Sequence, residues 1–402
     1  MSLIPTYPHD IFTDEALLDP HGHYQELRDL GPLVWLEAHQ MYVVPRYTEA
    51  RAVLADPASF CSGQGVALNE FFNGIGAGKN LIMTDGEQHE HLRGLMGQGL
   101  TPRALRSMTT AIELRAAELV ATVVAQGRFD GVADLARVLP LTVVPDLIGW
   151  PAGGREHLLE WAGATFDLLG PLNERAEKAL PRVQAMQEFA IQTAADGNLL
   201  PGSLGAALIA AGRRGELEPA AIPPLMIGYI APSLDTTISA IGSAVWLLAT
   251  HPDQWNRLKS DTSLVPNAFN ETVRIESPIR AFSRVATCDT RIGECNIDAG
   301  SRLMILYASA NRDERHFEHA HQFDIARSNA AEHIGFGYGT HGCAGQGLAR
   351  LEAHAVLNAL INQIESIELA ASPVRGLNNL ISSWASLPVV IRPRQAEAVN
   401  PS

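Results

Sequence analysis

Cysteine is scarce in this 402-residue chain, with four residues, Cys61, Cys288, Cys295 and Cys343, spaced far apart. That is too few for the dense disulfide framework of a small secreted protein, and the chain reads as reduced and cytoplasmic. Basic residues are outnumbered, 30 Lys and Arg against 44 Asp and Glu, for a formal charge of −14. Proteins that track phosphates along a nucleic acid usually carry the opposite balance, so nucleic acid is not an expected partner. Long apolar runs are missing near the amino terminus, where Pro5, Pro8, Asp10, Asp14 and Glu15 fall within the first stretch from Met1 to Pro20. This excludes a signal peptide there, and a membrane span of about 20 apolar residues. Fixed-period repeats, low-complexity tracts and long Pro/Gly linkers are also lacking, so residues 1–402 read as a single domain.

What is present is a globular composition, 46% hydrophobic and 18% charged, with helical periodicity over most of the chain. Ala104–Ala125, Arg155–Leu169, Leu225–Thr250 and Gln346–Ile364 place apolar residues three and four apart. Leu225–Thr250 is apolar on nearly every side, which marks a buried central helix, and His251-Pro252 signals its end. Leu33–Val44, Ile292–Leu306 and Leu387–Arg392 carry strand-like apolar and β-branched patches. The fold class is therefore mainly α with a minor β portion.

The strongest local signal is Phe336-Gly337-Tyr338-Gly339-Thr340-His341-Gly342-Cys343-Ala344-Gly345, followed by a helical stretch with Leu348, Ala349 and Glu352. Glycines ahead of one cysteine allow tight turns and close backbone approach to a ligand. The partial positive charge of a helix start favours a thiolate there. A lone buried cysteine is more often an inert small hydrophobe, so the case rests on the spacing around it. The pattern Phe-Gly-x-Gly-x-His-x-Cys-x-Gly-x-x-Leu-Ala-x-x-Glu is matched at every fixed position, and in this the chain resembles the cytochromes P450.

The resemblance implies the P450 fold, with haem b between the central helix and the cysteine loop, and Cys343 as the iron ligand whose thiolate favours cleavage of the oxygen–oxygen bond. It implies haem contacts from Phe336 and propionate contacts from His89, Arg93, Arg284 and His341. His89-Glu90-His91 alone could suggest a metal site, but adjacent helical positions diverge and no third ligand is near in sequence. Glu271 and Arg274, three apart, would ordinarily be a solvated pair. The resemblance makes them a structural lock behind the haem, with Asn311-Arg312-Asp313 as the partner segment.

Asp235 and two threonines sit inside the apolar central helix, at a cost unless they have partners. A helix-bending hydroxyl or a buried ion pair would explain them. The resemblance assigns Asp235 to proton relay and Thr236 to holding dioxygen and its water. Pro232, where the family usually has a small residue, removes a backbone donor at a cost of about 3 kcal/mol, so a kink is expected beside the oxygen site.

Further stretches, including Ala133–Ala136, Gly153–Leu159, Gly170-Pro171 and Glu332–Gly337, resemble the bacterial branch that O-demethylates para-methoxybenzoate and related aromatic acids. This implies a small hydrophobic aromatic substrate, hydroxylated or oxidatively demethylated, in a pocket lined by Phe166, Leu169, Pro232 and Phe282. The branch's carboxylate anchors correspond to Ile227-Gly228 and to the stretch Gly76–Lys79, so either the substrate is neutral or a different cation, Arg280 or Lys79, holds an acid. No flavin or iron–sulfur motif is visible. The resemblance implies electrons from a [2Fe-2S] ferredoxin and its NAD(P)H-dependent reductase, docking near Arg103, Arg106 or Arg350. A peroxide-using haem-thiolate enzyme and a haem sensor without turnover are the rival functions.

Overall fold

A helix of 29 residues, Ile222–Thr250, runs through the molecule and is buried over most of its length. Pro223 and Pro224 fall at its first turn, where no intrahelical donor is needed, and Pro252 forces the stop that follows Thr250. Its apolar surface packs against the helices Val138–Ile148, Leu158–Leu169 and Val265–Glu276. The computed structural model describes residues 4–394, so the first three residues of the amino-terminal stretch, and 395–402, lie outside the described residues.

Beside this helix, Gln346–Gln363 lies along Pro102–Gln126. Pro102–Gln126 has well-defined ends: Thr101 caps it by accepting from the Ala104 amide, Pro102 opens it, and Gly127 closes it in the left-handed region at φ 70°. Together these helices form the larger hydrophobic core.

The strand-like patches form the smaller β part. A six-stranded sheet runs in the order Thr6–Tyr7, Val34–Leu36, Met41–Val44, Arg302–Ile305, Phe282–Ala286, Phe60–Cys61. The patches in Leu33–Val44 are two antiparallel strands, because a single 3₁₀ turn at Glu37–His39 and a left-handed Gln40 at φ 49° reverse the chain. Ile292–Leu306 likewise resolves into the end of one hairpin, Thr290–Ile292 with Cys295–Ile297, and a separate strand, Arg302–Ile305. Leu387–Arg392 is matched by the strand Pro388–Pro393, which pairs with Ile364–Leu369.

Glu271 and Arg274 are not a solvated pair. Both side chains are fully buried, with Arg274 Nε 2.7 Å from Glu271 Oε2. Arg274 also donates to the carbonyls of Asn311 and Ala320, each at 2.8 Å. The expected partner segment therefore contributes through the Asn311 backbone, while Asp313 caps a different helix by accepting from the Tyr47 amide. A second guanidinium, Arg327, completes the cluster 2.9 Å from Glu271 Oε1. Two arginines thus share one buried carboxylate, an arrangement that ties the Val265–Glu276 helix to the loop before the cysteine.

Among the described residues, no helix is long and apolar enough to cross a membrane.

Candidate active site

The cysteine loop folds back on itself. The Cys343 amide donates to the Phe336 carbonyl at 2.8 Å, closing the turn that contains three glycines. Two of them are required to be glycine: Gly337 and Gly339 have φ of 70° and 68°, and a Cβ on Gly339 would lie 2.6 Å from the Leu54 carbonyl. The helix Gln346–Gln363 starts just beyond, so the amides of Gly345 and Gln346 face the sulfur. Burial nonetheless holds the thiol above its usual value, against those amides and the charges of Arg93 and Arg350. The helix start alone therefore does not produce the thiolate; a cation bound at sulfur would have to take the proton's place.

The loop forms one wall of a cavity of about 1000 Å³. The opposite wall is the central helix, which presents Pro232, Ser233, Thr236 and Thr237 to it. The helix runs unbroken through Pro232. The Thr236 hydroxyl donates to the Pro232 carbonyl at 2.6 Å, adding a side-chain bond over the turn that follows the proline. Asp235 turns away from the cavity. Its Oδ2 is buried without a partner and lies beside Gly163 of the helix Leu158–Leu169. Burial pushes this carboxyl up to about 7, with Arg137 opposing and Asp167 reinforcing the shift. Near neutral pH it can hold or release a proton.

At one end of the cavity the basic groups gather. The His89 and His341 rings stand 4.2 Å apart, and Arg93 and Arg284 line the same region. The His89 Nδ1 meets the Leu81 carbonyl at 3.0 Å, while its buried Nε2 has no partner. Arg284 is 4% exposed and donates from Nη1 to its neighbour's carbonyl, Ser283 O. Asp85 is the acid of this cluster, 3.3 Å from His341 Nε2, and it is already engaged by the amides of Ser62 and Gly63. Burial, then Arg284 and His89, lower the His341 pKa to about 4. An orphaned imidazole nitrogen and two arginines around one committed carboxylate fit a ligand bearing two further negative charges. Haem, with its two propionates, is such a ligand.

Phe166, Leu169 and Phe282 also line the cavity, as does Ile227. Lys79 lies on its rim and is exposed. Arg280 does not: it lines a separate cavity behind the Pro278–Phe282 segment and cannot reach a molecule held against Phe282. The anchoring role expected of Arg280 therefore has no place in the substrate cavity. Arg350 is not a free surface charge either, since it donates to Asn270 at 2.5 Å and stacks over the Phe336 ring at 5.0 Å. Arg103 and Arg106 are exposed, as a docking role requires. The His89-Glu90-His91 segment is no metal site: His91 faces outward to the Glu216 carbonyl, and no three His, Cys, Asp or Glu side chains cluster for a metal among the described residues.

Two groups escaped the sequence reading. Arg327 carries no spacing relation to Glu271, and only the folded loop brings them together. Glu352 was visible as a motif position, but its state was not: both oxygens are buried without partners, and burial pushes its pKa up to about 8.

Comparison with known proteins agrees with this geometry. Residues 204–366 match the family described as Cytochrome P450. The chain is 36% identical over 393 residues to cytochrome p450 CYP199A2 of Rhodopseudomonas palustris, covering 97% of this chain and 95% of that protein. It is 30% identical over 385 residues to a steroid C26-monooxygenase of Rhodococcus jostii, covering 91% and 79% respectively. Among solved structures, P450BioI in complex with an acyl-loaded acyl carrier protein matches with a TM-score of 0.84 at 26% identity, over 94% of this chain and 100% of that one. The chain belongs to the cytochrome P450 family and is a haem b-dependent monooxygenase, using dioxygen, a hydrophobic substrate and electrons from redox partners.

Proposed function

We propose that this enzyme inserts one oxygen atom into a small aromatic molecule, by hydroxylation or oxidative O-demethylation, with electrons delivered by a ferredoxin. The observation that carries this is the placement of Cys343 and Thr236 on facing walls of one cavity whose remaining lining includes Phe166, Leu169, Ile227 and Phe282. Flat apolar walls favour a flat apolar ligand.

Cys343 would hold the haem iron through its sulfur, and His89, Arg93, Arg284 and His341 would pair with the propionates. Phe336 lines the cavity on the sulfur side. Bound there, haem supplies the activation of dioxygen that no side chain of the protein can perform. The protein's own contribution is positioning and proton supply. The Thr236 hydroxyl faces the cavity and can hold a water by accepting from it while donating to Pro232 O. Asp235, on the other side of the helix and poised near neutrality, can pass a proton inward and recover it from the side where Asp167 and Arg137 lie. The apolar walls exclude bulk water from the reacting position.

Lys79 is the remaining cation on the substrate side, because Arg93 and Arg284 belong to the propionate cluster and Arg280 lies behind the wall. An acidic aromatic would therefore be held through Lys79 at the rim, and a neutral one without it. Ferric protein titrated with paired benzoates and phenols, before and after Lys79→Ala, separates these cases. Weakening of the acids alone identifies Lys79 as their anchor, and no change in either series makes the substrate neutral. Turnover with reduced ferredoxin, and little with peroxide, is the result expected from an acid–alcohol pair built for proton delivery. Activity with peroxide alone would favour the peroxygenase reading, and no product from any aromatic would leave a sensor.

A further inference from the structure

Behind the wall that carries Phe282 is a second cavity, of about 300 Å³. Ile279 and Phe282 face the substrate side, and Arg280 between them faces this one. Three guanidinium groups meet here: Arg280, Arg312 and Arg375. One buried carboxylate answers them. Glu276 lies 2.6 Å from Arg375 and 3.5 Å from Arg312, so both of its oxygens are taken.

Arg280 is left without a counter-charge. It is 4% exposed, and no carboxylate oxygen approaches within 4.0 Å among the described residues. Its Nη2 reaches only the Leu17 carbonyl at 3.2 Å and, weakly, that of Ile381 at 3.5 Å. Its Nε is buried and has no partner. A guanidinium cannot shed its charge at any ordinary pH, so burial without an anion is costly. Asp19, the other acid on the cavity wall, is exposed and makes no ion pair among the described residues.

A second set of donors points the same way. The helix His21–Leu30 begins at this cavity with no side-chain cap, leaving its first amides and positive end free for an anion. The His21 Nδ1 is buried without a partner. Its ring is kept neutral by burial, followed by Arg312, Arg375, Arg280 and His321, so all three arginines bear on one point.

We propose that this cavity binds a small oxyanion, of the phosphate, sulfate or short-carboxylate type, with Arg280 as its principal ligand and the amino end of the His21–Leu30 helix opposite. The volume accommodates such an ion with a few waters; liquid water takes about 30 Å³ per molecule. A bound anion would tie the amino-terminal helix to the Pro278–Phe282 segment and so brace the substrate wall from behind.

The test is thermal unfolding of the haem-loaded protein with potassium phosphate titrated at constant ionic strength against potassium chloride. A rise in Tm that follows the logarithm of phosphate concentration above Kd is expected, about 3 °C at a hundredfold excess over Kd for a chain of this size. Arg280→Gln should abolish it. General salting effects instead grow in proportion to salt concentration and would be shared by the variant. Crystals of the unaltered protein soaked in selenate give an answer independent of how the variant folds: selenium anomalous density should lie in this cavity, where a selenate oxygen comes within hydrogen-bond distance of Arg280 Nε. A response linear in phosphate from the lowest concentrations, one that survives Arg280→Gln, or a cavity without selenium density overturns the proposal.

Discussion

Replacing Glu271 by Gln keeps the shape of the buried cluster and removes its one negative charge. In the native arrangement its two oxygens are bonded to Arg274 at 2.7 and 2.8 Å and to Arg327 at 2.9 and 3.1 Å. All three side chains are nine-tenths buried or more. The amide would leave two guanidinium groups confined without a counter-ion, and it would turn donor hydrogens toward donors. Breaking a buried pair in this way costs about 3–5 kcal/mol. With an unfolding entropy of roughly 2.1 cal/mol/K per residue, that loss lowers Tm by about 4–6 °C. Thermal unfolding followed together by tryptophan fluorescence and Soret absorbance measures it, the second signal reporting loss of the haem site that this cluster supports. The surface pair Arg182 and Glu160, at 2.5 Å with both side chains about half exposed, is the control. Glu160→Gln should cost no more than about 0.5 kcal/mol despite the short distance. If Glu271→Gln proved no worse than Glu160→Gln, the claim that burial decides the value of this network would be wrong.

Glu352 should make stability fall with alkalinity. Its carboxyl is raised from 4.5 to about 8, so the folded state favours the protonated form, and a penalty of roughly 1.4 kcal/mol per unit builds as pH rises from about 4.5 to about 8. Glu352→Gln should match the wild type at low pH and become progressively more stable than it across that window; parallel profiles would refute the assignment. Thr236→Val should preserve the ferric spectrum and substrate binding while diverting a large share of electrons, about tenfold more than in the wild type, from product to peroxide, measured as product formed per NADH. Asp235→Asn should slow turnover by about 10²-fold and abolish any rate dependence with a pKa near 7, since the amide cannot exchange the proton. Charge reversal at Arg103 and Arg106 together should slow reduction by ferredoxin and flatten its salt dependence; an unchanged dependence on salt would place the docking face elsewhere.

Much of this was legible in the sequence because the signals were local. The central helix, its stop at His251-Pro252 and the cysteine loop each depend on residues close together in the chain, and each is found where its pattern placed it. Short-range geometry failed where the chain reverses. In Leu33–Val44 the 3₁₀ turn between the strand-like patches has no glycine or proline to announce the reversal. What the sequence could not show was direction and company. Arg280 and Phe282 are two apart along extended chain, yet they face different cavities. Arg350 looked like a solvated charge and is packed on Phe336. The second partner of Glu271, Arg327, is 56 residues away, a separation no periodicity encodes.

The central claim is that Cys343, held in its glycine loop, is the thiolate ligand of the haem. It is tested most directly by the visible spectrum of the reduced protein under carbon monoxide, recorded for the wild type and for Cys343→His. The wild type should give the strongly red-shifted Soret band of thiolate-ligated iron, and the variant should bind haem without that shift. A wild-type band lacking the shift, or a shifted band that survives in Cys343→His, would contradict it.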